Sequence, residues 1–123
     1  MKLEVGMYVR NCYGRIAKIE YIEDNIAYCD NWLYQSYEDH ITFINLNDEE
    51  DNNEILKASY NIIDLISRFD LVNGHLVICK MYENEKDIPT IIKCVGDYYF
   101  KEEDIKSVIT HEQMEQMTYK VGE

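Results

Sequence analysis

The pentapeptide Ile26-Ala27-Tyr28-Cys29-Asp30 recurs 65 residues later as Ile91-Ile92-Lys93-Cys94-Val95. Ile and Cys repeat in place, and both stretches have the apolar, branched character of a strand. Further identities at the same offset are Tyr34 with Tyr99, Glu38 with Glu103, Asp39 with Asp104, and Ile44 with Ile109. Because a repeat of this kind sets the architecture of a chain, we interpret the sequence as one β-rich module present twice. The alternative is two unrelated β-rich segments that match by chance.

Upstream of the pentapeptide the offset shortens. Ile16 matches Ile78 at an offset of 62, and Val9 matches Val72 at 63. We therefore expect a few extra residues in the turn near Asn84, and the same order of strands in both modules.

Apolar alternation and turn residues predict the individual elements. The predicted strands cover residues 3–9, 15–22, 26–30 and 41–46 of the first module and 62–66, 76–82, 90–95, 98–100 and 105–109 of the second, with a further segment near residue 34. Asn73-Gly74 favours a tight hairpin, because both residues tolerate a positive φ. Thr110 and Gln113 have the spacing of a capping box, which predicts a helix over residues 111–117.

The predicted fold class is mostly β, with two tandem SH3-like small barrels and a short C-terminal helix. Short strands in a meander, with a tight turn before the last one, resemble the SH3-like class. Five acids in the eight residues 47–54 repel one another and predict a solvated linker. We therefore expect a first module at 1–47, an acidic linker with a short helix or turn at 48–60, and a second module with the helix at 61–123.

The charge balance disfavours several classes of partner. Twelve Lys and Arg stand against 24 Asp and Glu, which gives a net charge of −12. Nucleic-acid binding depends on clustered cations that neutralise phosphates, whereas the cations of this chain are scattered singly. We predict no direct binding to nucleic acid. The sequence also has no apolar run long enough to predict a membrane partner.

The four cysteines, Cys12, Cys29, Cys79 and Cys94, lack the CxxC spacing of zinc and redox sites. Cys29 and Cys94 occupy the same place in the repeat, where a small buried hydrophobe suits a strand. Reduced core thiols are the preferred interpretation, with disulfides and a zinc site as alternatives. Reduced thiols and the lack of a signal peptide predict a cytoplasmic location in a bacterial host cell.

Three stretches carry a resemblance to a protein group. They are Ser-Tyr-Asn-Ile-Ile-Asp-Leu-Ile at 59–66 with Asp-Leu-Val-Asn-Gly at 70–74, Leu-Glu-Val-Gly-Met-Tyr-Val-Arg at 3–10, and Val-Ile-Thr-His-Glu-Gln at 108–113. In these the chain resembles small uncharacterised proteins of phages and prophages of low-GC Gram-positive bacteria. The resemblance implies a mobile-element origin and brings no catalytic residues. Ser67-Arg68-Phe69 departs from the acid and glycine expected at that turn.

Little in the sequence predicts catalysis. His40, His75 and His111 have no His or Cys partner at ligand spacing, and the excess of acids opposes a reactive thiolate. We predict solvated histidines, no enzyme activity, no cofactor and no metal site. The repeated acid pairs Glu38-Asp39 and Glu103-Asp104 leave a divalent-cation site as an alternative. Our preferred interpretation is that each pair caps free amides of a turn.

An aromatic-acidic patch is the candidate binding site. If Cys29 faces the core, alternation directs its neighbours in the strand outward. The candidate partner-binding residues are Tyr28, Trp32, Tyr34, Tyr37, Glu38 and Asp39. Exposed Trp and Tyr are typical anchors of protein interfaces. The alternative is that these rings pack between the two modules.

These observations favour a non-enzymatic acidic binding protein of phage or mobile-element origin that binds and inhibits a host protein. Its surface carboxylates would occupy the basic groove of a nucleic-acid-binding defence factor, as an anti-CRISPR or other anti-defence inhibitor does. One alternative is a sponge for a small anionic signalling nucleotide, with Arg10, Arg15, Lys80 and Lys93 as donors. Another is a structural or assembly protein of the element. The oligomeric state is open.

Overall fold

The computed structural model of the chain describes residues 2–30, 43–49, 54–83 and 88–118, of which 116–118 are described by their backbone alone. The chain divides into two compact units, Met1–Asn61 and Ile62–Glu123. Each unit contains one five-stranded antiparallel sheet, and the second unit ends in a short α-helix. The mostly β class with a C-terminal helix is thus confirmed.

The first unit is a meander whose last strand returns to the first. Its strands are β1 (Tyr8–Asn11), β2 (Ile16–Glu23), β3 (Ile26–Asp30), β4 (Phe43–Asn45) and β5 (Ile55–Ser59). Their order in the sheet is β4-β3-β2-β1-β5. Apolar side chains from one face of the sheet and from the segment before it form the core, namely Leu3, Val9, Ala17, Ile19, Ala27, Ile44 and Ile55.

The second unit repeats this order. It begins with a 3-10 helix (Ile62–Leu65) and continues with β6 (Leu71–Val72), β7 (His75–Tyr82), β8 (Pro89–Cys94), β9 (Tyr98–Lys101), a 3-10 turn (Glu102–Asp104), β10 (Val108–Ile109) and helix α1 (His111–Thr118). The sheet order is β10-β6-β7-β8-β9. In both units the fifth strand therefore pairs with the first. The expected common strand order is confirmed.

Local sequence signals hold where they were strongest. Asn73 and Gly74 form the hairpin between β6 and β7 with φ values of 53° and 82°. The Asn73 amide oxygen also accepts the backbone N–H of Lys106 and of Ser107, which ties this hairpin to the segment before β10. The capping box is confirmed, since Gln113 Oε1 accepts the N–H of Thr110 at 3.0 Å.

Two neighbouring predictions are wrong. Residues 55–59, expected in a linker with a short helix or turn, form β5, and this strand pairs with β1. The first unit therefore extends through the expected linker to Asn61. Residues 62–66, expected as a strand, begin with the 3-10 helix, where Ile62, Ile63 and Leu65 are all buried. Residues 55–59 form a strand because they pair with the open edge of β1. Local residue preferences do not reveal this pairing.

The predicted strand at 3–9 starts late because a turn precedes it. Gly6 has a φ of 92° and donates its N–H to the Ile19 carbonyl oxygen at 2.9 Å. The second unit has the same turn: Phe69 has a φ of 78° and donates to the Val77 carbonyl oxygen at 3.1 Å. Phe69 thus occupies a left-handed conformation that favours glycine, and it lies within the stretch Ser67-Arg68-Phe69, which departs from the expected acid and glycine.

Strand pairing corrects the register of the repeat in the second strand. Ile19 pairs with Cys29, and Val77 pairs with Cys94, so Ile19 and Val77 are equivalent. The match of Ile16 with Ile78 at an offset of 62 is therefore wrong: Ile16 is 2% exposed, whereas Ile78 is 38% exposed. The second unit has a shorter connection between its first two strands and a longer one between β7 and β8, and these two length changes partly cancel in the sequence.

The offset of 65 holds for the third strand and fails after it. Cys29 in β3 and Cys94 in β8 take equivalent places, as expected. In the fourth strand Phe43 is the partner of Tyr28, and Tyr99 is the partner of Lys93, so Phe43 corresponds to Tyr99. Residues 108–109 lie in the fifth strand, which pairs with β6, and they do not correspond to residues 43–44.

Candidate functional site

A β-bulge shapes the outer face of the first sheet. The pairing of β2 with β3 passes from Ile19 and Cys29 directly to Tyr21 and Tyr28, so Glu20 is the extra residue. Simple alternation from the buried Ile19 would turn Tyr21 towards the core. Because a bulge shifts the alternation by one residue, Tyr21 instead lies on the solvent side, opposite Tyr28.

Three aromatic residues form a row across this face, and we call Tyr21, Tyr28 and Phe43 the aromatic row. They are cross-strand neighbours on β2, β3 and β4. The rings of Tyr21 and Tyr28 stack, with their centroids 4.6 Å apart and their planes 15° from parallel. Tyr21 is 51% and Phe43 is 56% exposed. Stacking thus orders the rings of Tyr21 and Tyr28 in advance, and the row remains open to solvent.

Acidic residues border the aromatic row. Glu23 follows Tyr21 by two positions on the same face of β2, and Asp30 follows Tyr28 on β3. Glu20 lies in the bulge, and all three acids are exposed. Lys18 is the cross-strand neighbour of Asp30, and its Nζ lies 5.6 Å from the centroid of the Tyr8 ring. The face thus combines aromatic surface with an excess of negative charge.

The predicted patch is described only in part. Tyr28 lies in the aromatic row, half-buried between its two neighbours. The other five predicted residues, Trp32, Tyr34, Tyr37, Glu38 and Asp39, lie outside the described residues, as does His40. Tyr21 was missed, because the bulge that places it beside Tyr28 has no marker such as glycine in the sequence. Phe43 was also missed: it lies in the strand predicted at 41–46 but was not singled out there.

A second cluster joins residues that are far apart in the sequence. Asp70 is fully buried, and its Oδ2 accepts the N–H of Ser67 at 2.7 Å. Its Oδ1 accepts the N–H of His111 at 2.9 Å and lies 2.9 Å from Nδ1 of the same residue. His111 Nε2 lies 2.9 Å from a carboxylate oxygen of Glu112. The expectation of a merely solvated His111 is wrong, since its ring is held between two carboxylates.

This cluster is the place in the described part of the chain where a metal ion could be held. Asp70, His111 and Glu112 each offer one ligand atom, all within 4.8 Å of one another. Both Asp70 oxygens accept hydrogen bonds already, however, and both ring nitrogens face carboxylates. A cation would displace these contacts. The arrangement fastens the start of helix α1 to the turn at residues 67–70, and we assign it a structural role.

The acid pair of the second unit supports the capping interpretation. Glu103 and Asp104 lie in the 3-10 turn before β10. The Asp104 carboxylate accepts the backbone N–H of Lys101 at 3.2 Å. Because Glu103 and Asp104 precede the fifth strand, whereas Glu38 and Asp39 precede the fourth, the two acid pairs are not equivalent.

The cysteines divide into two classes. All four are free thiols. Burial raises the pKa of Cys29 to about 11 and also raises the pKa of Cys94, so both thiols stay protonated near neutral pH. This agrees with their places on the core side of β3 and β8. Cys12 and Cys79 are exposed, so the core interpretation is wrong for these two.

The four cations considered for an anionic nucleotide are placed differently. Arg10 is buried, and Arg15 lies over the Tyr13 ring at 5.5 Å. Lys80 pairs with the buried Ile92 and donates to the Asp64 carbonyl oxygen, whereas Lys93 points to the opposite face of the same sheet. Lys80 and Lys93 therefore do not share one pocket.

Within the described residues, no helix has the length and apolar character needed to cross a membrane. Comparisons with protein-family models, curated proteins and solved structures found no match to the chain.

Proposed function

We propose that each unit is an SH3-like small barrel and that the chain is a non-enzymatic binding protein of phage or mobile-element origin. In this proposal it binds and inhibits a host protein in the cytoplasm, in its sharpest form a nucleic-acid-binding defence factor such as a CRISPR effector. Support for the fold comes from the strand order, with the fifth strand beside the first and a 3-10 turn before the fifth strand of the second unit.

The observation that carries the proposal is the exposed aromatic row. Stacked rings that are already ordered lose little conformational entropy on binding, and aromatic side chains dominate the energetic centres of protein interfaces. Glu20, Glu23 and Asp30 at its border would meet Lys or Arg of a partner. A basic partner follows from these acids and from the net charge of −12.

The aromatic row is tested by capture of a basic host protein on the immobilised chain. Tyr21→Ser/Phe43→Ser should weaken binding by about thirtyfold or more, since losing a central aromatic anchor costs on the order of 2 kcal/mol. Tyr13→Ser/Tyr82→Ser is the matched control, because it removes two similarly exposed aromatic rings outside the row. The control variant should bind like the wild type. Equal binding by the row variant would remove the row as the site.

Charge is tested separately. Glu20→Lys/Glu23→Lys should slow association with the captured protein and flatten its dependence on salt, because these acids border the interface. The unmodified chain should not shift duplex DNA or RNA in a gel at moderate salt. Tight direct duplex binding would contradict the proposal, because the chain would then bind nucleic acid itself and not the basic surface of a protein partner.

A further inference from the structure

The second sheet has an outer face whose chemistry is opposite to that of the first. Its bulge lies at the equivalent place, where pairing passes from Val77 and Cys94 to Cys79 and Lys93. The row equivalent to the aromatic row is therefore Cys79, Lys93 and Tyr99. Lys93 replaces Tyr28 at the centre of this row, and its Nζ lies 5.9 Å from the centroid of the Tyr99 ring.

The rows on either side are apolar or basic. Leu76 and Val95 lie on one side, joined by a hydrogen bond from the Val95 N–H to the Leu76 carbonyl oxygen. Met81, Ile91 and Lys101 form the row on the other side. None of the described residues in these three rows is acidic. We call the face formed by Leu76, Met81, Lys93, Val95, Tyr99 and Lys101 the lysine face.

The lysine face needs an occupant that is both apolar and acidic. Its apolar members are exposed: Leu76, Met81, Val95 and Tyr99 each keep more than a third of their surface in solvent. A polyanion would satisfy the two lysines but leave this apolar surface exposed to water. The aromatic row with Glu20, Glu23 and Asp30 supplies both apolar surface and negative charge.

We propose that the lysine face of one chain binds the aromatic row of a second copy of the chain. The contact joins two different surfaces, so a pair of chains keeps one free aromatic row and one free lysine face and can add further copies. Self-association would then cover the aromatic row and compete with the basic partner proposed above. The two ideas share the aromatic row but are tested by different measurements.

Analytical ultracentrifugation of the full chain tests the proposal. The wild-type mass should rise above 14.7 kDa with increasing concentration at about 0.15 M NaCl, where a screening length of about 8 Å damps the long-range repulsion between two acidic chains but acts less on ion pairs in close contact. Lys93→Glu/Lys101→Glu should stay monomeric. Lys2→Glu/Lys106→Glu carries the same charge change at two exposed lysines outside the lysine face, and it should associate like the wild type.

A mixing experiment separates this contact from non-specific aggregation. Tyr21→Ser/Phe43→Ser keeps the lysine face but lacks the aromatic row, so it too should be monomeric alone. Mixed with Lys93→Glu/Lys101→Glu, it restores one contact per pair, and the mass should stop at twice that of the chain. A wild type that stays monomeric up to about 1 mM, the weak end of measurable affinity, would overturn the proposal. So would lysine-face variants that associate like the wild type.

The capture experiment remains informative whatever the mass measurements give. Lys93→Glu/Lys101→Glu should capture the basic host protein at least as well as the wild type, because its aromatic row is free. If Lys93→Glu/Lys101→Glu no longer self-associates but still captures the host protein, both proposals are supported. If the wild type captures the host protein but never self-associates, only the proposed binding of a host protein is supported.

Discussion

The two sheets share their strand order, their bulge and the turn before the first strand, yet different residues occupy equivalent places. Ala27 in the first core corresponds to Ile92 in the second. At the shared turn, the buried Asp70 stands where the first unit has Met7. The same backbone path is thus held by apolar packing in one unit and by a buried carboxylate in the other. Equivalent backbone positions therefore do not require equivalent side chains, and each unit stabilises the shared path by different contacts.

The largest expected difference lies in the two cores. Ile92→Ala should lower the free energy of unfolding by about 2–5 kcal/mol, through lost burial and a cavity. Ile78→Ala on the adjacent strand is the matched control, because its partly exposed side chain leaves no closed cavity; it should cost less than about 1 kcal/mol. Urea denaturation of the full chain measures both. If both variants lose the same free energy of unfolding, Ile92 is not a core residue equivalent to Ala27.

The next effect concerns the buried carboxylate that only the second unit has. Asp70→Ala removes the carboxylate that accepts the backbone N–H groups of Ser67 and His111. Each unsatisfied N–H group should lower the free energy of unfolding by about 1–3 kcal/mol. Asp104→Ala is the control, since it removes an exposed carboxylate that accepts one backbone N–H; we expect a loss below about 1 kcal/mol. If the two variants melt at the same temperature, Asp70 does not hold the turn to helix α1.

The smallest effect concerns the shared left-handed turn. Gly6→Ala should destabilise the chain by about 1–2 kcal/mol, the cost of placing a side chain in this backbone region. No steric clash should add to this cost, because the nearest atom to the added Cβ, in Tyr60, lies at an ordinary 3.6 Å. Phe69→Gly should be neutral or stabilising by up to about 1 kcal/mol, since relief of strain is offset by greater freedom of the unfolded chain.

Urea midpoints of the two turn variants should therefore move in opposite directions or, for Phe69→Gly, not at all. A marked loss of stability in Phe69→Gly would point to a stabilising role for the Phe69 side chain. It would mean that the Phe69 ring, which lies 4.9 Å from the Arg68 guanidinium carbon, contributes more by packing than its backbone conformation costs.

Part of the candidate site was accessible from the sequence, and part was not. Tyr28 was placed outward correctly, because its neighbours Ala27 and Cys29 alternate with it in a regular strand. Tyr21 was missed, because the bulge at Glu20 reverses the alternation of β2 without any residue that signals it. The contact of Asp70 with His111 was missed for a different reason: 41 residues separate the two, and each looks like an ordinary polar residue in its own segment.

The mostly β class, the third strand of each unit, the Asn73-Gly74 hairpin and the capping box at helix α1 can all be predicted from the amino-acid sequence. Each of these depends on residues within a few positions of one another, so local conformational preference is enough. Long-range packing is needed to explain why residues 55–59 form a strand, why residues 62–65 form a 3-10 helix, and where the repeat changes register. These features depend on which strand edge is free and which apolar face needs covering, and such long-range pairing overrides local preference.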